Sequence, residues 1–587
     1  MKNYIVKLFA ILSMLYVVGC KDLPLGDNFL EKPPSVSVTN DTIFSKLEFA
    51  QRYLFSGYAN LYYGIRTDLA ARNMVNACLL ESLSDLDNSY LSWTGGPSIY
   101  YSGVYTGASE DAAAINTKYP FYKVHIWQSI RIGYNFLKNI DRVPDADENT
   151  RKTMKAEARM IIATTYTDLY RHYGGGLPWL GRAVDVSEEL KFPRLTSLAT
   201  LDSIIGLIDK AIPDLPWTIA DPSNWDGRFT QAAAMGLKAR LLLFAASPVL
   251  NSDTPYLDGD AAQKKMSWHG KYDANLWKMA ADAAKVLIDK AESTGNYKLV
   301  KTGNPRVDFR NAYTQRINGE VLISTRIQFR CATNLAWGMI SQILNEGTSS
   351  PNNNYVEMFP MANGLPITDP GSGFLATNPY VNRDPRMYET ILTNGDAFQG
   401  RTAELWIGGR ERLTSTATRG ASGYHLRKFA LDQNTATSMG AITQWPHLRL
   451  AEIYLSYAEA INEFSNGPTA EAYRCVNLVR NRVNLANLTP GLTKEQFREA
   501  LLVERACEFG FEEVRWFDLV RWKKESDFKK PLYKMDITKT GNNFTYVKTL
   551  ITPARNWATS WSPKWYFSAF PLNEVNKGYG LVQNPGW

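Results

Sequence analysis

The stretch from Arg449 to Lys524 holds four runs in close succession: RLAEIYLSYAEAINEF (449–464), AEAYRCVNLVRNRVNL (470–485), KEQFREALLVERACEFGF (494–511) and EVRWFDLVRWKK (513–524). Each has the length and apolar periodicity of a helix, and the breaks between them are short, as between antiparallel neighbours. The runs also crowd charge: Glu504, Glu508, Glu512, Glu513, Arg515, Asp518 and Arg521 fall in one region. Glu508 and Glu512 are a helical turn apart, and Arg515, Asp518 and Arg521 follow at three-residue steps, so ion pairing is the expected role of these carboxylates. A pair of carboxylates could instead mark a glycosidase, which needs two of them roughly 5–10 Å apart across a sugar bond. Gly510, between Phe509 and Phe511, is read as a tight helix break.

The same pattern recurs towards the N-terminus. In EARMIIATTYTDLYRHYGGG (157–176), Ala158, Ile161, Ile162, Thr165, Leu169 and Tyr173 keep the three-to-four spacing, and Gly174–Gly176 end the run. Helices are expected over Leu47–Tyr63, Leu198–Ile212, Ala232–Ala246 and Trp277–Lys290. From about 296 to 447 the chain is rich in Gly, Asn, Thr and Pro, and only GEVLISTRIQF (319–329) alternates like a strand. The fold class expected is mainly α: a tetratricopeptide-like scaffold of helix pairs, whose repeat is ~34 residues, carrying a large irregular loop-rich region with few short strands.

Of 587 residues 45% are hydrophobic and 21% charged, a globular composition with ample length for a core. The net charge of +7 is small for this size and includes Lys2 and Lys7, and no dense basic run occurs, so nucleic acid is not an expected partner. Histidines 125, 172, 269, 425 and 447 are scattered without ligand spacing, G-x-S-x-G and P-loop patterns are absent, and neither a metal nor a cofactor is expected. Cys78, Cys331, Cys475 and Cys507 are far apart, and buried free thiols are the expected state, with a disulfide as the alternative in an exported protein.

A ligand is to be sought in the loops. DLDNSYLSWTGGPSIYYSGVYTG (85–107) sets Tyr90, Trp93, Tyr100, Tyr101 and Tyr105 among Gly, Ser and Pro, away from helical spacing. A flat indole takes the apolar C–H face of a sugar ring, while carboxylates, amides and Arg take its hydroxyls. Trp93 is therefore the first candidate glycan platform, with Asp85, Asp87, Asn88 and Tyr90 as polar partners; the competing role for these aromatics is loop core. Trp337, with Arg330 before it, is the second candidate, and Trp406, beside Gly408–Gly409, the third. Trp127, Trp277, Trp516 and Trp522 sit in helical patterns and are assigned to the core.

The chain opens on Lys2, Lys7 and a short apolar run that stops at VVGCKD (17–22). The run is too short to span a membrane, which takes ~20 residues. It resembles a lipobox, in which the cysteine becomes an acylated N-terminus, and Lys21–Asp22 resembles a surface-export signal. Cys20 is thus the expected lipidation site.

RLAEIYLSYAEA, LVRNRVNL and ERACEFGFEEVRWFDLVRW resemble, in order, the C-terminal helical motifs of the SusD/RagB family. EARMIIATTYTDLYRHYGGGLPW, AAAMGLKARLLLFAASP, RDPRMYETIL and the terminal QNPGW resemble its other motifs, although the last residue is more often Tyr. The resemblance runs from the lipobox to Trp587. It divides the chain into a signal peptide (1–19), a lipid anchor and tether (20–40), an N-terminal SusD-like helical region (41–295), the loop-rich region expected to bind ligand (296–447) and a C-terminal SusD/RagB helical region (448–587). It implies a non-enzymatic lipoprotein of the outer-membrane surface of a Gram-negative bacterium, held to the lipid by acylated Cys20. It implies capture of a glycan for a SusC-like TonB-dependent transporter. A surface glycoside hydrolase and a peptide-binding member of the same family are the alternatives.

Overall fold

The computed structural model describes residues 39–587 apart from 66–74, 76–77, 112–116, 186, 190, 327–343, 345 and 433–443. The longer helices are α1 (Leu47–Ala59), α2 (Val124–Asn139), α3 (Glu148–Tyr173), α4 (Ser197–Ala211), α5 (Gln231–Ala246), α6 (Asn275–Thr294), α7 (Pro305–Thr314), α8 (Leu450–Phe464), α9 (Ala470–Arg482), α10 (Lys494–Phe509) and α11 (Arg515–Arg521). Their starts follow local chemistry. The side chains of Asp147, Thr196, Thr230, Thr469 and Thr493 each accept from a backbone N–H in the first turn of the helix they precede. α3 stops where Gly174 and Gly175 turn left-handed, at φ +77° and +98°. A Cβ on Gly175 would lie 2.3 Å from Ser197 Oγ, so glycine also admits the close approach of α4.

Each helix from α1 to α6 packs on the next, and α6 packs on α8 as well as α5. The array therefore continues directly from the N-terminal to the C-terminal helices, and the residues between them leave and rejoin it. One apolar core runs through both parts, with Ile161, Leu169, Leu241, Leu287, Ile453 and Leu501 at or near zero exposure. Regions 41–295 and 448–587 thus share an interior. A smaller core, including Phe309, Tyr355, Met387, Leu405, Phe429 and Trp445, lies under the central segment.

The strands are few. β1 (Asp87–Asn88) pairs with β3 (Ser350–Pro351), β2 (Val321–Arg326) with β4 (Gln444–Arg449), and β5 (Tyr533–Thr540) with β6 (Asn543–Leu550), all antiparallel. β2 is the strand expected from alternation; the β5–β6 hairpin was not expected.

The acidic stretch is an ion-pair layer, as expected, except at Glu513, which accepts from the Tyr62 hydroxyl and the Leu80 N–H and is pushed by burial up to about 7; the partners of the others are mostly remote in sequence. Glu508 accepts from Arg482 at 2.5 Å, Arg449 at 2.9 Å and Arg386 at 3.2 Å. Glu504 pairs with Arg386 and Arg480, and Glu512 with Lys428 and Arg449. Only Asp518–Arg521 is a helical-neighbour pair. Burial opposes the Glu508 charge, yet the three guanidiniums prevail and hold its carboxyl at about 2. Gly510 does end α10, and Phe511 follows at φ +65°. Cys78, Cys475 and Cys507 are buried free thiols; Cys20 and Cys331 lie outside the described residues.

Candidate functional site

Trp93 stands at the tip of a loop fixed from beneath. β1 leads into it, and the Tyr90 N–H donates to Gly347 O at 3.1 Å. Inside the loop, the Ser89 and Thr94 hydroxyls share a hydrogen bond at 3.0 Å, and Thr94 Oγ1 donates to Leu91 O at 2.8 Å. The Tyr101 hydroxyl accepts from Ser89 N–H at 3.1 Å and donates to Ser82 O at 2.5 Å. Ser89 and Thr94 are buried while Trp93 is 44% exposed. An exposed indole on a locked backbone loses little further freedom when a ligand stacks on it.

The frame turns on Arg555, which the sequence did not single out. Its guanidinium donates to Ser84 O at 2.6 Å, to Asp87 O and to Asn88 Oδ1, and lies 4.4 Å over the Tyr101 ring. Burial pushes the Tyr101 hydroxyl up to about 12, with the Arg555 charge opposing. Arg555 sits in ITPARNW (551–557), where no spacing marks it; only the fold shows that it organises this loop.

Three expected polar partners are committed to the fold instead. The Asp85 carboxylate takes both arms of Arg515 at 2.9 and 2.8 Å. Burial pushes its carboxyl up, but the Arg515 charge prevails and holds it below the usual carboxylate range. Asp87 is fully buried, accepts from Ser349 Oγ at 2.8 Å and is pushed by burial up to about 7. Asn88 is buried, with its amide on Ser89 O and Arg555. All three face inward because β1 and the turn before it are covered by α11 and the 551–559 segment. Tyr90 is half-buried, and burial followed by the Asp87 charge raises its hydroxyl. Gly96–Tyr101 forms one helical turn where irregular loop was expected, and Tyr100 and Tyr105 are core. Trp406 is half-buried against the second core, with Lys539 Nζ 5.0 Å from its ring. Trp337 and Arg330 lie outside the described residues. Trp277 and Trp516 are buried, and Trp127 and Trp522 pack against the main core.

The frame beneath the loop draws on distant parts of the chain. Gly347, at φ +74°, approaches Thr418 so closely that a Cβ would lie 2.3 Å from its carbonyl oxygen. The loop around Thr418 therefore abuts the segment that holds Tyr90. A cavity of 380 Å³ shares Asn88 and Arg555 with the loop frame and is lined further by Lys530, Tyr533, Trp557 and Thr559. Its walls mix aromatic faces with hydroxyl and ammonium groups, a surface suited to polyhydroxylated rings. Of the carboxylates a hydrolase reading would use, Glu504, Glu508, Glu512 and Asp518 are buried in ion pairs, and Glu513 is buried on the Tyr62 hydroxyl and the Leu80 N–H. Among the described residues no group of three His, Cys, Asp or Glu is placed to hold a metal ion.

Residues 341–587 match the model of the SusD family. Two curated relatives come from Formosa agariphila. SusD-like protein P2 is 34% identical over 108 residues, 17% of this chain and 21% of that one. SusD-like protein P25 is 45% identical over 78 residues, 13% and 14% of the two chains. The matches therefore span about a fifth or less of those relatives. Solved structures align over nearly the whole chain. A SusD-like protein from Bacteroides fragilis has a TM-score of 0.72 at 20% identity, covering 95% of this chain and 100% of its own. A SusD-like carbohydrate binding protein from the same species has a TM-score of 0.68 at 20% identity, covering 92% and 100%. A laminarin binding SusD-like protein has a TM-score of 0.60 at 18% identity, covering 93% and 100%. At these identities the solved structures establish the fold, and the family match rests on the C-terminal residues. Residues 341–587 thus carry the match to the SusD family, and the fold of the chain is that of the SusD-like proteins, helical array and loop-rich segment together.

Proposed function

We propose that this protein is a cell-surface lipoprotein that binds an oligo- or polysaccharide and passes it to a SusC-like TonB-dependent transporter of the outer membrane. The observation that carries the reading is Trp93, exposed on a loop locked by Tyr101 and Arg555, on a SusD-like fold. Relatives of the same fold described as carbohydrate binding and as laminarin binding support the ligand class. The protein binds without turnover: its acidic helix is structural, and what remains at the loop is a stacking platform. Cys20, at the end of a lipobox-like run, supplies the anchor, since several acyl chains hold far more firmly than one. The tether after it leaves the body free to close over a pore, and a shared membrane raises the local concentration of the two partners.

The test is a glycan array with the full chain in detergent, laminarin included, followed by titration of the best ligand. Binding without shortening of the glycan is expected. If every glycan is ignored, or if the bound chain is cleaved, the reading fails. Fatty-acid labelling that marks the wild type and not Cys20→Ala supports the anchor. Co-extraction of a transporter-sized membrane protein supports the partner.

A further inference from the structure

A second aromatic cleft lies away from the Trp93 loop. Helix α1, the 221–228 loop and the end of β2 enclose a hollow of 370 Å³. That is at the small end of ligand pockets, which run from about 300 to 1,000 Å³. Trp225 lines it and is 41% exposed, with its ring 6.0 Å from that of Phe55. The Arg228 guanidinium lies 5.7 Å from the Trp225 ring and is held there by Glu157 at 2.7 and 2.8 Å. Asp221 caps the short helix before Trp225, and its other oxygen takes Asn224 Nδ2 at 2.7 Å.

The charges of the cleft do not balance pairwise. Arg228 pairs with Glu157, which also accepts from the Tyr58 hydroxyl at 2.9 Å. Arg316 and Arg326, by contrast, both converge on the single carboxylate of Asp226, at 2.6 Å each. Arg326 is further fixed by Gln444 Oε1, yet its Nε is enclosed without a hydrogen-bond acceptor. Gly227, at φ +84°, lets the backbone pass against that side chain: a Cβ there would lie 2.6 Å from Arg326 Nε. Burial and the neighbouring Arg316 pull the Arg326 guanidinium down to about 10, as expected for a cation that shares its counter-ion. Among the described residues two guanidiniums therefore share one carboxylate, which leaves a surplus positive charge at Asp226, and Asp226 and Arg326 line the cleft beside the exposed indole.

We propose that this cleft is a second binding site, for a sugar residue that carries an anion, either a uronate carboxylate or a sulfate ester. Trp225 takes the C–H face of the ring, and Arg316 and Arg326 together take the anionic group, for which a guanidinium fork is the natural donor. The ligand class rests on the glycan reading above; the site does not, because it shares no residue with the Trp93 loop.

The test titrates three oligosaccharides of equal length into the full chain in detergent: an oligogalacturonate, a sulfated galactan fragment and a neutral laminari-oligosaccharide. Arg316→Gln is the informative variant. Arg316 is exposed, and its removal leaves Asp226 paired with Arg326, so folding is spared while the surplus charge is lost. Binding of one or both anionic probes should weaken by roughly tenfold in Trp225→Ala, and by several-fold in Arg316→Gln. It should persist in Trp93→Ala and fall with added salt. The responding probe distinguishes carboxylate from sulfate. If the wild type binds the neutral probe but neither anionic one, this proposal fails and the glycan reading stands. If the anionic probes bind and neither Trp225→Ala nor Arg316→Gln changes their affinity, the site is wrong. If no sugar binds, both readings fall.

Discussion

Trp93 and Asp87 belong to one short loop and answer to opposite physics. Trp93 keeps nearly half its surface in water, and its neighbours hold the backbone rather than the ring. Trp93→Ala should thus weaken glycan binding by about 1–3 kcal/mol and alter folding stability by less than about 1 kcal/mol. Isothermal titration beside thermal unfolding checks both, and a stable variant with wild-type affinity removes Trp93 from the site. Asp87 is the reverse case. Its carboxyl stands at about 7 in the folded chain, against about 3.9 when exposed. Between those values the native state holds a proton that the unfolded state has released, so this residue's contribution to stability declines as pH rises from about 4 to about 7. Asp87→Asn lacks that term. Relative to wild type, the variant should gain about 2.5 kcal/mol between pH 5 and pH 8, measured by urea unfolding at both. Parallel pH profiles would show that Asp87 is charged in the fold. The sequence could mark Trp93, because a large aromatic among Gly, Ser and Pro stands out. It could not tell that the neighbouring Asp85, Asp87 and Asn88 face inward, since their partners Arg515, Ser349 and Arg555 come from far along the chain. Trp225 carried the same kind of signal as Trp93, in DPSNWDGR (221–228), and was open to the same reading.

At the scale of elements, period decided what was legible. α3, α5, α6 and α8–α10 could be read because a buried stripe repeats every three to four residues over several turns. The β5–β6 hairpin carried a signal that went unread: Tyr533, Met535 and Ile537 alternate with Lys534, Asp536 and Thr538, and Phe544 and Tyr546 of β6 pack on the same second core. The charged face of α10 showed that ion pairs form but not with what. Its carboxylates reach α9, β4 and the segment around Arg386, so α10 is pinned by charges brought together only on folding. Glu508 is the hub. Glu508→Gln keeps the volume and removes the charge, which leaves Arg482 and Arg449 facing each other with Glu320 and Glu512 alone to balance them. Breaking a buried pair from one side typically costs about 3–5 kcal/mol, and chemical unfolding should register a loss of that order. The same carboxyl stands at about 2, below its usual 4.5. Its contribution is therefore complete above about pH 4.5 and is lost as pH falls towards 2. Wild type should accordingly shed stability across that acid window, and Glu508→Gln should do so less steeply. Gly510 adds a steric constraint: a Cβ there would lie 1.9 Å from the Tyr355 hydroxyl. Gly510→Ala should destabilise by about 1–3 kcal/mol, as overpacking does; an unchanged melting temperature would mean that Tyr355 yields freely.

Across the whole molecule, the fold is the helical scaffold with a loop-rich region that the sequence leads one to expect, and the two ends join as one array with a long excursion between them. α6 and α8, separated by the entire central segment, pack side by side, and α8 also lies on α5. Nothing local in either helix specifies the other as its neighbour; what each displays is an apolar face too broad for its sequence neighbours to cover. Ala280, Ala284, Leu287 and Ile288 of α6 and Leu450, Ile453, Ala458 and Ala460 of α8 are all buried in the same core. The small residues allow the helices to come close, and the buried Arg240–Glu452 pair, at 2.5–2.8 Å, ties α5 to α8 as well. This arrangement makes a firm prediction about fragments. Residues 41–295 produced alone would expose the α5–α6 face and leave the Arg240 guanidinium without its carboxylate. The fragment should be helical by far-ultraviolet circular dichroism, yet bind a hydrophobic dye and melt without a cooperative transition. Co-expression with 448–587 should restore a sharp transition if the shared core is the missing part. If 41–295 instead unfolds cooperatively by itself, with the dye excluded, the N-terminal helices form an independent domain and the continuity of the array across α6 and α8 is only an interface.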